Sequence, residues 1–257
     1  MAMKYPGFNL TGKVAALTGS SQGMGFAIAR AYAQQGAKVI VSSHDEADAK
    51  RAAEELREEG YDVAAVRCDI TSRDDVRNFA AASAVHYGPA DILVCQAAPP
   101  PPMGPLFDVD VDALDTLLTS SLTNSLLLVK GFLPEMANRR DGAIVAMSSI
   151  AADRANAVLG AYGITKAALN SLLRSIAVEW GGRGIRANGI APSVVRTAFS
   201  KALWGNPETE KVVAAKSPAG RIAEVDDVVG AALLFGSPAG AYINGQVLLI
   251  DGGRSIV

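Results

Sequence analysis

Cysteine is nearly absent from this 257-residue chain: Cys68 and Cys95 are its only two, each inside or at the end of an apolar run. They give no disulfide framework and read as buried free thiols of a reducing compartment. Histidine is as scarce, with His44 and His86 alone and no C-x-x-C pair, so no metal site is expected. A surplus of one charge is missing too. The 24 basic and 26 acidic side chains leave a formal net charge of −2, and both signs are spread along the chain. That balance argues against a nucleic-acid face and against a polybasic membrane patch. No apolar run is long enough to span a bilayer, and Leu126–Val129 is flanked by Asn124 and Lys130. Met1 to Leu10 lacks the charged start and apolar stretch of a secretory signal, and Arg254–Val257 carries no targeting address. The expectation is a cytoplasmic protein without membrane or nucleic-acid partners.

What the chain does have is apolar substance, 49% of its residues, at a length that suits one large α/β domain. Short apolar runs alternate with amphipathic stretches. Strands are expected at 13–18, 38–42, 62–68, 91–95, 143–147, 184–191 and 246–250. Helices are expected at 26–35, at 45–59, from Thr71 or Ser72 to about His86, from Val111 to about Asn138, at 159–180 and at 226–235. This rhythm predicts a parallel, doubly wound sheet of about seven strands with helices on both faces. No linker or repeat divides it, so 1–257 reads as one domain. Pro99–Pro102 forces an extended segment. Pro192 to Ser217 reads as irregular or weakly helical, and 193–217 as a substrate lid in which Phe199, Leu203 and Trp204 serve either as core or as pocket wall.

Two stretches carry chemistry. Between the first strand and first helix lies Gly19-Ser20-Ser21-Gln22-Gly23-Met24-Gly25. Glycines there permit a tight turn and let a pyrophosphate approach the backbone N–H groups at the helix start. The spacing is G-x-x-x-G-x-G rather than G-x-G-x-x-G. The second stretch runs from Ser148-Ser149, after the fifth strand, to Tyr162 and Lys166. On one helix, i,i+4 spacing stacks tyrosine and lysine on one face. A free phenol has a pKa of about 10, and an adjacent ammonium is expected to lower it. With Ser149 placed to bond a carbonyl or hydroxyl, this is a proton-transfer site.

These motifs together resemble the short-chain dehydrogenase/reductase family. The resemblance rests on Thr18-Gly19 with Gly23-Met24-Gly25, on Tyr162-x-x-x-Lys166 with Ser149 thirteen residues before the tyrosine, and on Asp69-Ile70. Asn188-Gly189-Ile190-Ala191-Pro192 and the closing Asn244-Gly245-Gln246 to Asp251-Gly252-Gly253 complete it, nearly end to end. It implies a seven-stranded Rossmann-type sheet, a nicotinamide cofactor and oxidoreduction of an alcohol–carbonyl pair. It further implies Tyr162 as general acid/base, Lys166 as the residue that lowers its pKa and holds the ribose, and Ser149 as the group that positions the substrate oxygen. Cofactor contacts are expected from Gly19, Ser21, Gln22, Gly23, Met24, Gly25, Ser43, His44, Asp69, Ile70, Ala97, Tyr162, Lys166, Pro192, Val195 and Thr197. Asp69 is alternatively a helix cap, and His44 a solvated loop residue. Asn188 reads as a backbone tie.

Three departures from the family stand out. Cys95-Gln96-Ala97-Ala98 replaces Asn-Asn-Ala-Gly, Pro192-Ser193 replaces Pro-Gly, and Ser121 stands where the family has a relay asparagine. Asn124, one turn on, is an alternative support for the relay. At the end of the second strand, the family's NAD-selecting aspartate would fall at Ser43 and its NADP-selecting arginine at His44. Neither is present, and the pattern slightly favours NADP over NAD. Ala97, Met103, Ala152, Val195, Phe199 and Trp204 suggest an uncharged pocket. The expected activity is therefore hydride transfer with a small, fairly apolar alcohol or ketone. A 3-oxoacyl thioester reductase and a nucleotide-binding regulator with little turnover are the alternatives. The family commonly assembles as tetramers, so a homo-oligomer, tetramer or dimer, is expected.

Overall fold

The computed structural model describes residues 7–257. Residues 1–6, part of the stretch read for a secretory signal, lie outside that range. The strands are β1 (Val14–Leu17), β2 (Lys38–Ser43), β3 (Val63–Arg67), β4 (Ile92–Cys95), β5 (Gly142–Met147), β6 (Ile185–Pro192) and β7 (Val247–Ile250). They form one sheet in the order β3-β2-β1-β4-β5-β6-β7, and every pairing is parallel. Among the described residues the helices are α1 (Gly23–Gln34), α2 (Glu46–Glu58), α3 (Arg73–Tyr87), α4 (Val111–Leu118), α5 (Asn124–Arg139), α6 (Gly160–Trp180), α7 (Pro207–Ala214) and α8 (Asp226–Gly236).

Burial on both faces explains why the central strands are apolar throughout instead of alternating. On one face Ala15, Leu17, Val39 and Val94 pack with Ile28 and Tyr32 of α1, Leu56 of α2 and Phe235 of α8. On the other, Ala16, Ile40, Leu93 and Ile144 meet Phe79 of α3, Phe132 and Met136 of α5, and Leu169 and Leu173 of α6. The strand order reverses between β1 and β4, which opens a crevice at their carboxyl ends.

Three segments differ from the sequence expectation. The expected single helix over 111–138 is two helices joined by a π turn, Thr119–Thr123. There the Ser120 hydroxyl donates to the Thr116 carbonyl at 2.7 Å, and the Ser125 hydroxyl to the Ser121 carbonyl at 2.7 Å. Hydroxyls that bond back one turn compete with the helix ladder and loosen it. The segment after β6 is also more regular than expected. It holds a 3₁₀ turn, Ala198–Leu203, and then α7, whose start has Asn206 accepting from the Glu208 and Thr209 N–H groups and Pro207 in the first position. The proline segment has no regular structure of its own. Gly104 beyond it donates to the Val158 carbonyl at 2.9 Å and so ties the segment to the chain leading into α6.

Asn188 acts as the sequence suggested. Its Nδ2 donates to the Ile243 carbonyl at 2.8 Å and its Oδ1 accepts from the Gln246 N–H at 2.9 Å, with the side chain 1% exposed. Asn188→Ala leaves two backbone groups without partners. It should cost about 2–4 kcal/mol in chemical denaturation, without altering the sheet order.

Candidate active site

The glycine turn is built by hydroxyls. Thr18 accepts from the Gln96 and Ala97 N–H groups at 3.1 and 3.3 Å, which holds the chain beyond β4 against the end of β1. The Ser20 hydroxyl donates to the Leu17 carbonyl at 3.0 Å and accepts from the Ser42 N–H at 2.9 Å. A Cβ on Gly19, which sits at φ +60°, would lie 2.8 Å from Ala97 Cα, and one on Gly25 would lie 2.2 Å from the Gly19 carbonyl oxygen. Bare backbone at these points brings α1 directly onto the turn. Gln22 caps α1 without a side-chain bond, and no acidic residue stands in its first turn. The leading N–H groups therefore face the crevice, as a pyrophosphate requires. Thr197 lies over Gly23, 3.4 Å from where a Cβ would stand. Ser21 is buried and Met24 half-buried beside this turn, while Gln22 is exposed.

At the end of β2, Ser43 is buried and accepts from the Asp45 N–H at 3.2 Å, while His44 is exposed. The cation that reaches this point is Arg67. Register pairs it with Ser43, its Nε donates to the His44 carbonyl at 3.0 Å, and it forms a 2.6 Å ion pair with Asp75. Sequence reading missed Arg67, because its place depends on the parallel pairing of β2 with β3. Asp69 is not the cap of α3; Ser72 fills that place. The Asp69 carboxylate instead accepts from the Thr71 N–H and hydroxyl at 2.9 and 2.8 Å. Burial pushes its pKa up, but the Thr71 hydrogen bonds, together with nearby His44 and Arg67, hold the carboxyl below its usual range. Buried Ile70 offers its carbonyl to Asn124 Nδ2 at 2.6 Å.

Ser149, Tyr162 and Lys166 converge at the carboxyl end of β5. Ser148 ends the strand, its N–H donating to the Ile190 carbonyl at 2.7 Å and its hydroxyl to Asn170 Oδ1 at 2.6 Å. Ser149 opens a short 3₁₀ turn and accepts from the Ala151 N–H at 3.1 Å. A Cβ on Gly163 would stand 2.5 Å from the Ala151 carbonyl oxygen, so this glycine lets the serine turn settle on the first turn of α6. Lys166 is 4% exposed and its Nζ donates to the Met147 carbonyl at 2.7 Å. It lies 5.5 Å from the centre of the Tyr162 ring, so the expected shared face is present.

The electrostatics correct one expectation. The half-buried Tyr162 phenol is not lowered by Lys166. Burial pushes it up to about 12, and only the neighbouring Ser149 hydroxyl pulls it down. The reason lies in partner choice, because the ammonium bonds the strand carbonyl rather than the phenol. Burial in turn brings Lys166 down to about 8, with Cys95 opposing. Cys95 is itself buried and pushed up to about 12 by desolvation, a core thiol as expected. Among the described residues the hydroxyl of Ser121 and Oδ1 of Asn124 are buried without partners.

The segment after β6 closes the other side. Pro192 and Val195 are buried, and Val195 forms a bridge with Ala223. Trp204 turns toward its own segment, its indole N–H donating to the Thr197 carbonyl at 3.2 Å while Arg196 stacks on the ring at 5.0 Å. Arg196 also pairs with Glu210 at 2.6 Å and Glu224 at 3.0 Å. Phe199 remains exposed. The described residues contain no group of three metal-ligating side chains, and none of their helices is long and apolar enough to cross a membrane.

A nucleotide crevice beside a Ser–Tyr–Lys cluster defines an oxidoreductase of the Rossmann type, and the comparisons agree. The chain belongs to the short-chain dehydrogenase/reductase family: the family profile described as Enoyl-(Acyl carrier protein) reductase matches residues 19–255. Dehydrogenase/reductase SDR family member 4 of Bos taurus is 36% identical over 253 residues, 98% of this chain and 90% of the relative. A gluconate 5-dehydrogenase from Burkholderia cenocepacia J2315 in complex with NADP and tartrate superposes with a TM-score of 0.92 at 29% identity, covering 98% of this chain and 99% of that one. A 7α-hydroxysteroid dehydrogenase complexed with NADH and 7-oxo glycochenodeoxycholic acid superposes with a TM-score of 0.92 at 32% identity, covering 98% and 97%.

The position of Lys166 has a measurable consequence. The native side chain releases its proton near pH 8, whereas the unfolded chain holds it to about pH 10.5. Between these limits the unfolded state binds more protons, so stability rises with pH, by at most about 1.4 kcal/mol per pH unit. Denaturation across this range, without cofactor, should show the wild type gaining on Lys166→Met. Parallel curves for the two proteins would contradict the burial of a titrating amine.

Proposed function

We propose that the chain transfers a hydride between a nicotinamide cofactor and a small, fairly apolar alcohol or ketone. The observation that carries this reading is the convergence of Ser149, Tyr162 and buried Lys166 beside the β1–β4 crevice. The bound cofactor supplies or accepts the hydride. The chain's own residues do the rest. Ser149 holds the substrate oxygen, and Tyr162 moves its proton. A phenol kept protonated at neutral pH is ready to give its proton to the oxygen of a carbonyl being reduced. Lys166, its pKa brought to about 8 by burial, still carries a positive charge at neutral pH, held on the Met147 carbonyl one helical turn from the phenol. Lys166 is also the group proposed to hold a ribose hydroxyl of the bound cofactor.

NADP is the proposed cofactor. Ser43 presents no carboxylate to repel a 2′-phosphate, and Arg67 brings a guanidinium to the His44 carbonyl beside it. One solved neighbour holds NADP and another NADH, so the family itself leaves the choice open. Acyl thioester reduction is the competing reading, favoured by the acyl-carrier description of the matching family profile. The exposed Leu126, Leu248 and Leu249 fit a homo-oligomer, for which mass in solution is the check. The two buried free thiols fit a cytoplasmic setting.

A screen of alcohols, ketones and acyl thioesters with each cofactor should find turnover, and Tyr162→Phe should lower it about 10²–10⁴-fold while cofactor still binds. Full rate in that variant would refute the role of the phenol. Ser43→Asp should move the ratio of kcat/KM values toward NAD by placing a carboxylate at the ribose. An unchanged ratio would show that the end of β2 does not read the phosphate.

A further inference from the structure

An ion pair stands at the nucleotide end of the crevice, and the Ser149–Tyr162–Lys166 chemistry gives it no task. Its place follows from the glycine turn. The Ser20 N–H donates to the Ser42 carbonyl at 2.9 Å and the Ser42 N–H to the Ser20 hydroxyl at 2.9 Å, so the end of β2 is fastened to that turn. The end of β3 is fastened to β2 in turn, the Cys68 N–H donating to the Ser43 carbonyl at 2.9 Å. Side chains alternate along a strand, so every second residue lines one face. Val39 and Val41 of β2, with Val63 and Ala65 of β3, pack on the face that α1 covers. Ser43 and Arg67 come next on those strands, paired with each other, and continue that face at the carboxyl end. The N-terminus of α1, with its free N–H groups, opens on the same side.

The Arg67 side chain is aimed by its own bonds. Nε donates to the His44 carbonyl at 3.0 Å, one residue past the strand end at which a dinucleotide's ribose is read. Nη1 meets Asp75 Oδ2 at 2.6 Å, and Nη2 has no hydrogen-bond partner among the described residues. The other acids nearby are engaged elsewhere: Asp45 caps α2 through the Ala47 and Asp48 N–H groups, and Asp69 accepts from Thr71. Asp75 is thus the carboxylate that answers Arg67. The same Oδ2 accepts from the Asp69 N–H at 2.9 Å, which keeps Asp75 in place whatever Arg67 binds. The pair is open to solvent, with side chains 46% and 20% exposed. A phosphate monoester carries a charge of about −1.5 to −2 and suits a guanidinium fork. One that reaches Nη2 finds a cation already shared and a fixed negative charge behind it, which opposes its binding.

We infer that Arg67 grips the 2′-phosphate of NADP and that Asp75 restrains this grip, so that one ion pair on β3 and α3 sets how strongly the chain prefers NADP to NAD. This rests on the nicotinamide reading of the crevice. Arg67 is the binding residue, and Asp75 tunes it. The preference is therefore moderate by construction, and removing a carboxylate strengthens it.

Adenosine 2′,5′-bisphosphate and 5′-AMP differ by the 2′-phosphate alone and test the inference without turnover. In calorimetric titration the wild type should bind the bisphosphate more tightly. Arg67→Met should lower that affinity about 10- to 100-fold, with little change for 5′-AMP. Asp75→Asn keeps an acceptor for the Asp69 N–H and should raise it about 2- to 5-fold, again without a matching change for 5′-AMP. Asp75→Glu should stay near the wild type, and added salt should narrow the gap between the two nucleotides. The ratio of kcat/KM values for NADPH over NADH should move in the same directions. Equal wild-type affinity for both nucleotides, or equal losses on both in Arg67→Met, would overturn the phosphate grip while leaving hydride transfer with NADH intact. An unchanged or lowered bisphosphate affinity in Asp75→Asn would overturn the restraint. If the wild type bound neither nucleotide, the inference would fall together with the nicotinamide reading beneath it.

Discussion

The buried bond from the Lys166 ammonium to the Met147 carbonyl is the constraint around which the rest of the site is arranged. Taking an ammonium out of water costs several kcal/mol, and one carbonyl offsets only part of that. The remainder falls to the packing of α6, whose Leu169, Leu173 and Ile176 lie in the core against the sheet. A long apolar helix is thus what lets a charged group stay at the end of β5. Once Lys166 is fixed, Tyr162 one turn earlier has little freedom, and its ring lies within reach of the cation. Gly163 completes the arrangement, because only a residue without a Cβ lets the Ala151 carbonyl come so close. Serine, tyrosine and lysine are placed by one buried charge and one missing side chain.

The same constraint explains which parts could be read from the chain and which could not. The sheet was legible because fully buried parallel strands are short apolar runs, and β1 with VAAL is as plain a case as β5 with GAIVAM. The tyrosine–lysine spacing was legible because i,i+4 contacts are local. The direction of the phenol's pKa was not, since it depends on which distant acceptor the lysine selects. Arg67 was hidden for a similar reason. Its importance comes from a β2–β3 register that places it against Ser43, twenty-four positions earlier. The π turn and α7 stand between these cases. The run Thr119-Ser120-Ser121 with Ser125, and Asn206-Pro207-Glu208, carried local signals: hydroxyls that unwind a helix, and a cap that starts one.

One departure from the family pattern, Ser121, falls in that π turn, with Asn124 just beyond it, and the chemistry of the two is unequal. Asn124 uses its one donor group on the Ile70 carbonyl, which fastens α5 to the chain leaving β3, near Asp69. Its remaining atom, Oδ1, can only accept. Ser121 differs, because a hydroxyl accepts and donates at once, and its own is buried without a protein partner among the described residues. The Ser121 carbonyl, meanwhile, is taken by the Ser125 hydroxyl at 2.7 Å. A proton crossing this turn can therefore be handed on by the Ser121 side chain but not by Asn124, whose free atom could receive it and pass it nowhere. A relay through this turn would need a side chain with both a donor and an acceptor. Serine meets that condition, and the asparagine one turn on secures the helix that carries it.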